Sequence, residues 1–166
     1  MVKDVNLAAR RLGLEPGQPG GATAHVWRNT ESGRATKLFF SLPDPVRSRK
    51  IFESQVAAFE LVQGHPRLVH LTPAYYGRSS VASVVDEGGN DVSANYLSDC
   101  AYEMQLLPGP FYKIGDCVGS KNRSEIEAAF RAVGVRFMND ADVMLDRAGE
   151  IIKVIDFATE EFEPWA

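Results

Sequence analysis

The sequence predicts an α+β domain, and three features predict it: a pair of strand-like runs early in the chain, one long stretch of helical periodicity, and a short apolar hairpin towards the C-terminus. Ala24-His25-Val26-Trp27-Arg28 and Ala35-Thr36-Lys37-Leu38-Phe39-Phe40 read as strands joined across Asn29-Thr30-Glu31-Ser32-Gly33, which is turn chemistry. From Pro45 to Gln63, Val46, Ile51, Phe52, Val56, Phe59 and Val62 recur at mostly helical offsets, and Gly64-His65-Pro66 ends that run. Val143-Met144-Leu145-Asp146 and Ile151-Ile152-Lys153-Val154-Ile155 flank a turn carrying Gly149 and read as a hairpin.

The remaining elements complete the plan. Asp4 to Leu12 is expected to form a short basic amphipathic helix, broken by Pro16-Gly17-Gln18-Pro19-Gly20-Gly21. Leu68 to Leu71, Val81 to Val85 and Tyr102 to Leu107 are expected as strands, the last two separated by the polar stretch Asp86 to Ser98. Pro108-Gly109-Pro110 cannot continue a sheet interior. Ser124-Glu125-Ile126-Glu127 has the form of a capping box for a helix running to about Val133, with Gly134 as its stop. There is no internal repeat and no low-complexity tract.

Bulk properties narrow the function. A chain of 166 residues fits one domain that can bury a sizeable core. A hydrophobic content of 45% with 24% charged residues is globular composition, and a net charge of -4 offers no electrostatic footprint for nucleic acid or anionic lipid. No apolar run approaches the ~20 residues of a membrane span, so a soluble protein is expected. Cys100 and Cys117 do not form a disulfide framework and are expected as thiols, and His25, His65 and His70 lack metal-ligand spacing with them.

Two residues carry a chemical expectation of their own. Lys37 lies in an otherwise apolar strand, where an ammonium is costly to desolvate unless phosphate oxygens or a carboxylate compensate it. Asp156 closes the apolar run Val154-Ile155 and is followed by Phe157, so it should sit against a core and need a cation or hydrogen-bond donors. Asp140 precedes the hairpin on a polar turn, close in sequence to Asp142.

In order and spacing these pieces resemble the protein-kinase fold over roughly residues 17–158. Pro19, Gly21, Ala24 and Val26 fall where kinases carry their glycine-rich loop and its valine, with only the middle glycine kept. Ala35-Thr36-Lys37 is similar to the alanine-x-lysine of the third kinase strand, and His65-Pro66 to the step after the helix that supplies the lysine's glutamate. Counting back from that step puts Gln55 at the glutamate position; Glu53 and Glu60 are the available acids, and Glu53 is the expected partner. Ala101 to Gly109 resembles the fifth strand and hinge, which makes Met104 the gatekeeper and gives the adenine to the main chain of Gln105 to Leu107. Asp156-Phe157-Ala158 resembles the metal-binding triplet, with alanine for its usual glycine. Asp142 falls where kinases carry a metal-binding asparagine. The usual base position, five residues earlier, holds Phe137, so either Asp140 takes that role from a shortened loop or the base is missing; Asp140 is the expected base.

The resemblance implies a bilobed single domain, with an N-lobe over about 17–107 and a strongly reduced C-lobe over about 108–166. The chain as given ends at Ala166 and so resembles the compact bacterial effector kinases of the HopBF type that lack an activation segment. It implies a monomeric serine/threonine kinase using ATP and magnesium (Mg2+), cytoplasmic or secreted into a host cell, with a host heat-shock chaperone of the ninety-kilodalton class as its target. A catalytically inactive pseudokinase that binds a partner is the alternative implied by the departures at Phe137, Gln55 and Ala158.

Overall fold

The structure is a computed structural model that describes residues 3–8, 23–28, 32–86 and 88–162. The chain divides into two compact units, Met1–Phe52 with Tyr75–Leu107 and Glu53–Ala74 with Pro108–Ala166. Among the described residues there are two α-helices and two sheets, an α+β arrangement.

The first unit is built on a five-stranded sheet of β1 (Lys3–Ala8), β2 (Ala24–Arg28), β3 (Ala35–Phe40), β4 (Tyr75–Val85) and β5 (Tyr96–Met104), in the order β1-β4-β5-β3-β2. All neighbours are antiparallel except β1, which runs parallel to β4. β3, an interior strand between β5 and β2, is buried on both faces because both are covered. One face packs Phe39 against Phe52 and Tyr102, with Phe39 and Phe52 centroids 5.4 Å apart. The other holds Trp27, Leu38, Val81, Val84, Tyr96 and Ala101 in one cluster. A core on both sides of a strand is what makes Lys37, within it, chemically conspicuous.

Three sequence expectations in this unit are corrected. Lys3–Ala8 is a strand, not the start of a helix; Val5 and Leu7 alternate with Asp4 and Asn6, and the free edge of β4 supplies the backbone partners that this period favours. The rest of the expected helix lies outside the described residues. β4 begins at Tyr75, well before Val81, and β5 begins at Tyr96 and ends at Met104, short of Leu107. The polar stretch between them is a turn ordered by Asp86, whose Oδ1 accepts the amides of Gly88 and Asn90 at 2.9 Å each.

Helix α1 (Pro45–Gln63) has the bounds the sequence predicts. Asp44 Oδ1 accepts the Arg47 amide at 3.0 Å, satisfying one of the orphan donors of the first turn, and Pro45 occupies a position where no amide is needed. Its residues from Glu53 onward belong to the second unit. Leu68–Leu71 is a 3₁₀ turn and not the expected strand: Val69 donates to the His65 carbonyl at 3.1 Å, which continues the turn begun at Pro66.

The second unit pairs β6 (Tyr112–Lys113), β7 (Asp142–Leu145) and β8 (Ile151–Ile155) in a small antiparallel sheet, in that order, and adds α2 (Arg123–Ala132). Phe157 is 1% exposed and lies 4.9 Å from Phe59 and 5.3 Å from Phe130, ring centre to ring centre. That aromatic triad joins α1, α2 and the segment after β8. The turn of the β7–β8 hairpin is held by Asp146 Oδ1, which accepts the Ala148 and Glu150 amides, with Gly149 at φ 82 where a side chain would be strained. Helix α2 begins one residue before Ser124, so the expected capping box is not used. Its N-cap is Asn122, whose side chain instead accepts the Ile151 amide at 2.9 Å and donates to the Ile151 carbonyl at 3.0 Å, tying the helix to the start of β8.

Candidate active site

Strand register builds the site in the second unit. Asp142 opens β7 and is paired with Ile155, the last residue of β8, so the next residue, Asp156, emerges beside it. On its other side Asp142 is paired with Lys113 of β6. Three short strands therefore deliver two carboxylates and one ammonium to a single edge.

The electrostatics of that edge are unbalanced. Asp142 is 2% exposed. Its Oδ1 lies 3.2 Å from Lys113 Nζ, while its Oδ2 accepts no hydrogen bond from the described residues. Burial first, and then the neighbouring Asp156 carboxyl, push its pKa from 3.8 up to about 7, and Lys113 only partly offsets them. Asp156 is the one non-glycine among the described residues with positive φ, at 60°. A backbone conformation of this kind costs free energy and collects at functional sites.

The loop before β7 is fixed against the segment after Asp156. Phe137 and Ala158 exchange two backbone hydrogen bonds, at 3.0 and 3.2 Å, so the residue at the expected base position serves as a backbone bridge. Asp140 is exposed on the following turn, and its carbonyl accepts Lys113 Nζ at 3.1 Å. Beyond Ala158, Ser54 Oγ accepts the Thr159 and Glu160 amides at 3.0 and 3.1 Å, anchoring this segment to α1.

The first unit arranges a second set. Val26 is directly opposite Lys37 across β2 and β3, Lys37 is opposite Tyr102, and Ala35 is opposite Met104. Opposed residues share a face, so Val26, Ala35, Lys37 and Met104 line one side of the sheet. Lys37 is 7% exposed, with Nζ 5.6 Å from the Phe39 ring centre. Gln105 is exposed and Leu107 half-buried beyond the end of β5. On α1, Glu53 and Glu60 are exposed while Gln55 is buried. Gly21 lies outside the described residues.

No protein-family model, curated protein or solved structure matches this chain.

Asp142 and Asp156 fit a magnesium ion. The described residues contain no group of three or more histidine, cysteine or acidic side chains that could hold a metal. Magnesium in phosphoryl-transfer sites does not need one, because it keeps waters and takes phosphate oxygens alongside one or two carboxylates. The orphaned Asp142 Oδ2 and the raised pKa are what a hard cation would relieve. Lys113 was missed by sequence reasoning. Its strand is two residues long, too short for any periodicity to register, and the only hint is an ammonium following Phe111-Tyr112.

Proposed function

We propose that this chain is an ATP- and magnesium-dependent protein kinase that phosphorylates serine or threonine on a protein substrate, with a kinase-like fold. The observation that carries the reading is the pair Asp142 and Asp156, two carboxylates held side by side with one buried oxygen unsatisfied. The face carrying Val26, Ala35, Lys37 and Met104 supports it, since it sets a nearly buried ammonium among apolar side chains.

In this reading Lys37 orients the α- and β-phosphates, and the main chain of Gln105 to Leu107 takes the adenine edge. Asp142 and Asp156 would hold magnesium, which would neutralise charge on the phosphates when bound. Asp140 orients the acceptor hydroxyl. The hydroxyl oxygen bonds to the γ-phosphorus as the bond to the leaving ADP oxygen breaks, and the hydroxyl proton passes to the Asp140 carboxylate. Catalysis is mostly positioning and charge stabilisation. The sequence resemblance to compact effector kinases makes a host chaperone of the ninety-kilodalton class the first substrate to try. The test is transfer of radiolabel from the γ-phosphate of ATP, with Asp156→Ala as the inactive control.

A second reading is a pseudokinase that binds a partner. Phe137 at the base position, engaged in a backbone bridge, and buried Gln55 at the glutamate position favour it. ATP and magnesium would then raise the melting temperature without any label reaching protein.

A further inference from the structure

Lys113 differs from the two acids in one respect that decides its role: it is free to leave. Its side chain is 49% exposed while that of Asp142 is 3% exposed. The ammonium reaches inward to Asp142 Oδ1 at 3.2 Å and to the Asp140 carbonyl at 3.1 Å. Both contacts are to oxygens, and β6 holds the lysine in register with Asp142.

A buried carboxylate beside a second carboxylate requires a positive charge nearby. A divalent ion bound to Asp142 and Asp156 would compete with the ammonium for the same carboxylate, and repel it. We propose, on the kinase reading above, that Lys113 is a built-in stand-in cation: it neutralises Asp142 until a divalent ion arrives, and weakens the site for the free ion. Displaced, the ammonium needs a new anionic partner, and the phosphate oxygens of a nucleotide-bound metal provide one. The site therefore favours magnesium arriving with ATP over magnesium alone. Lys113 is a positioning residue in this scheme, and the Asp140 loop is released from it at the same step.

The experiment is a titration of the full chain with free Mn2+ at pH 8, without nucleotide, followed by electron paramagnetic resonance. Lys113→Met should bind Mn2+ roughly two- to fivefold more tightly than wild type, the range expected for losing one half-exposed ion pair. Lys113→Arg, which keeps the charge, should stay near wild type, and adding Asp142→Asn to Lys113→Met should abolish the gain. Lys113→Gln, with melting curves for every variant, replaces Lys113→Met if that protein is misfolded. Unchanged or weaker Mn2+ binding in the neutral variants overturns the inference. If wild type still transfers phosphate in that case, only the role of Lys113 falls; if wild type neither binds Mn2+ nor transfers phosphate, the kinase reading falls with it.

Discussion

Asp142 and Asp156 stand together because one begins a strand where the other's strand ends: Asp142 pairs with Ile155, and Asp156 is the next residue. The hairpin turn at Gly149 is far along the strands from both, yet it sets their register. A slip of one residue would send Asp142 to the opposite face of the sheet and separate the pair.

The raised Asp142 pKa makes a prediction about pH. The folded protein holds a proton on this group between pH 3.8 and about 7 that the unfolded chain releases. Stability of the metal-free protein should therefore fall as pH rises through that window and level off above it, by at most on the order of 4 kcal/mol. Denaturant melts at pH 5, 6, 7 and 8 check this. Asp142→Asn should flatten the slope, and an equal slope in both proteins would contradict the assignment.

Phe157 should dominate the packing of the second unit. It is nearly fully buried between Phe59 and Phe130, so Phe157→Ala should cost about 3–5 kcal/mol in chemical denaturation. A loss under 1 kcal/mol would show that the triad does not hold the segment after β8.

Asn122 should matter more than an ordinary N-cap. Asn122→Ala removes both links to Ile151 and the contact from Ser120 Oγ at 2.8 Å, and leaves the Ile151 groups to find other partners. A loss of about 1–3 kcal/mol is expected by thermal melt. Ser124→Ala, at the unused capping box, should lie within about 0.5 kcal/mol of wild type.

Lys37→Ala should lower phosphate transfer by about two orders of magnitude, a loss of the size seen when a charge-stabilising donor is removed. The melting temperature should change by only a few degrees. On the proposed kinase reading, Glu53→Ala and Gln55→Ala are assayed side by side for ATP affinity, and a loss in one of them alone assigns that residue to nucleotide binding.

Elements with strong punctuation were readable in the sequence. Asp44-Pro45 and Gly64-His65-Pro66 bracket α1, and Gly149 marks the hairpin, because each is local chemistry that tertiary contacts reinforce. Lys3–Ala8 and Leu68–Leu71 depart from the sequence expectation because short segments take the conformation their neighbours impose, an open sheet edge in one case and a continuing turn in the other. Within the candidate site, Asp156 was legible from its place at the end of an apolar run, and Asp142 only from the resemblance to kinases. Lys113 could not be found that way, since only the β6–β7 pairing brings it to them.

The central claim is phosphate transfer dependent on the acid pair. Wild type and Asp156→Ala, both shown folded by circular dichroism, would be incubated with magnesium and ATP labelled at the γ-phosphate, alone and with a ninety-kilodalton heat-shock chaperone. Label on a serine or threonine with wild type, and its loss with Asp156→Ala, is the expected result. Absence of label with wild type, or equal labelling by the variant, would contradict the account.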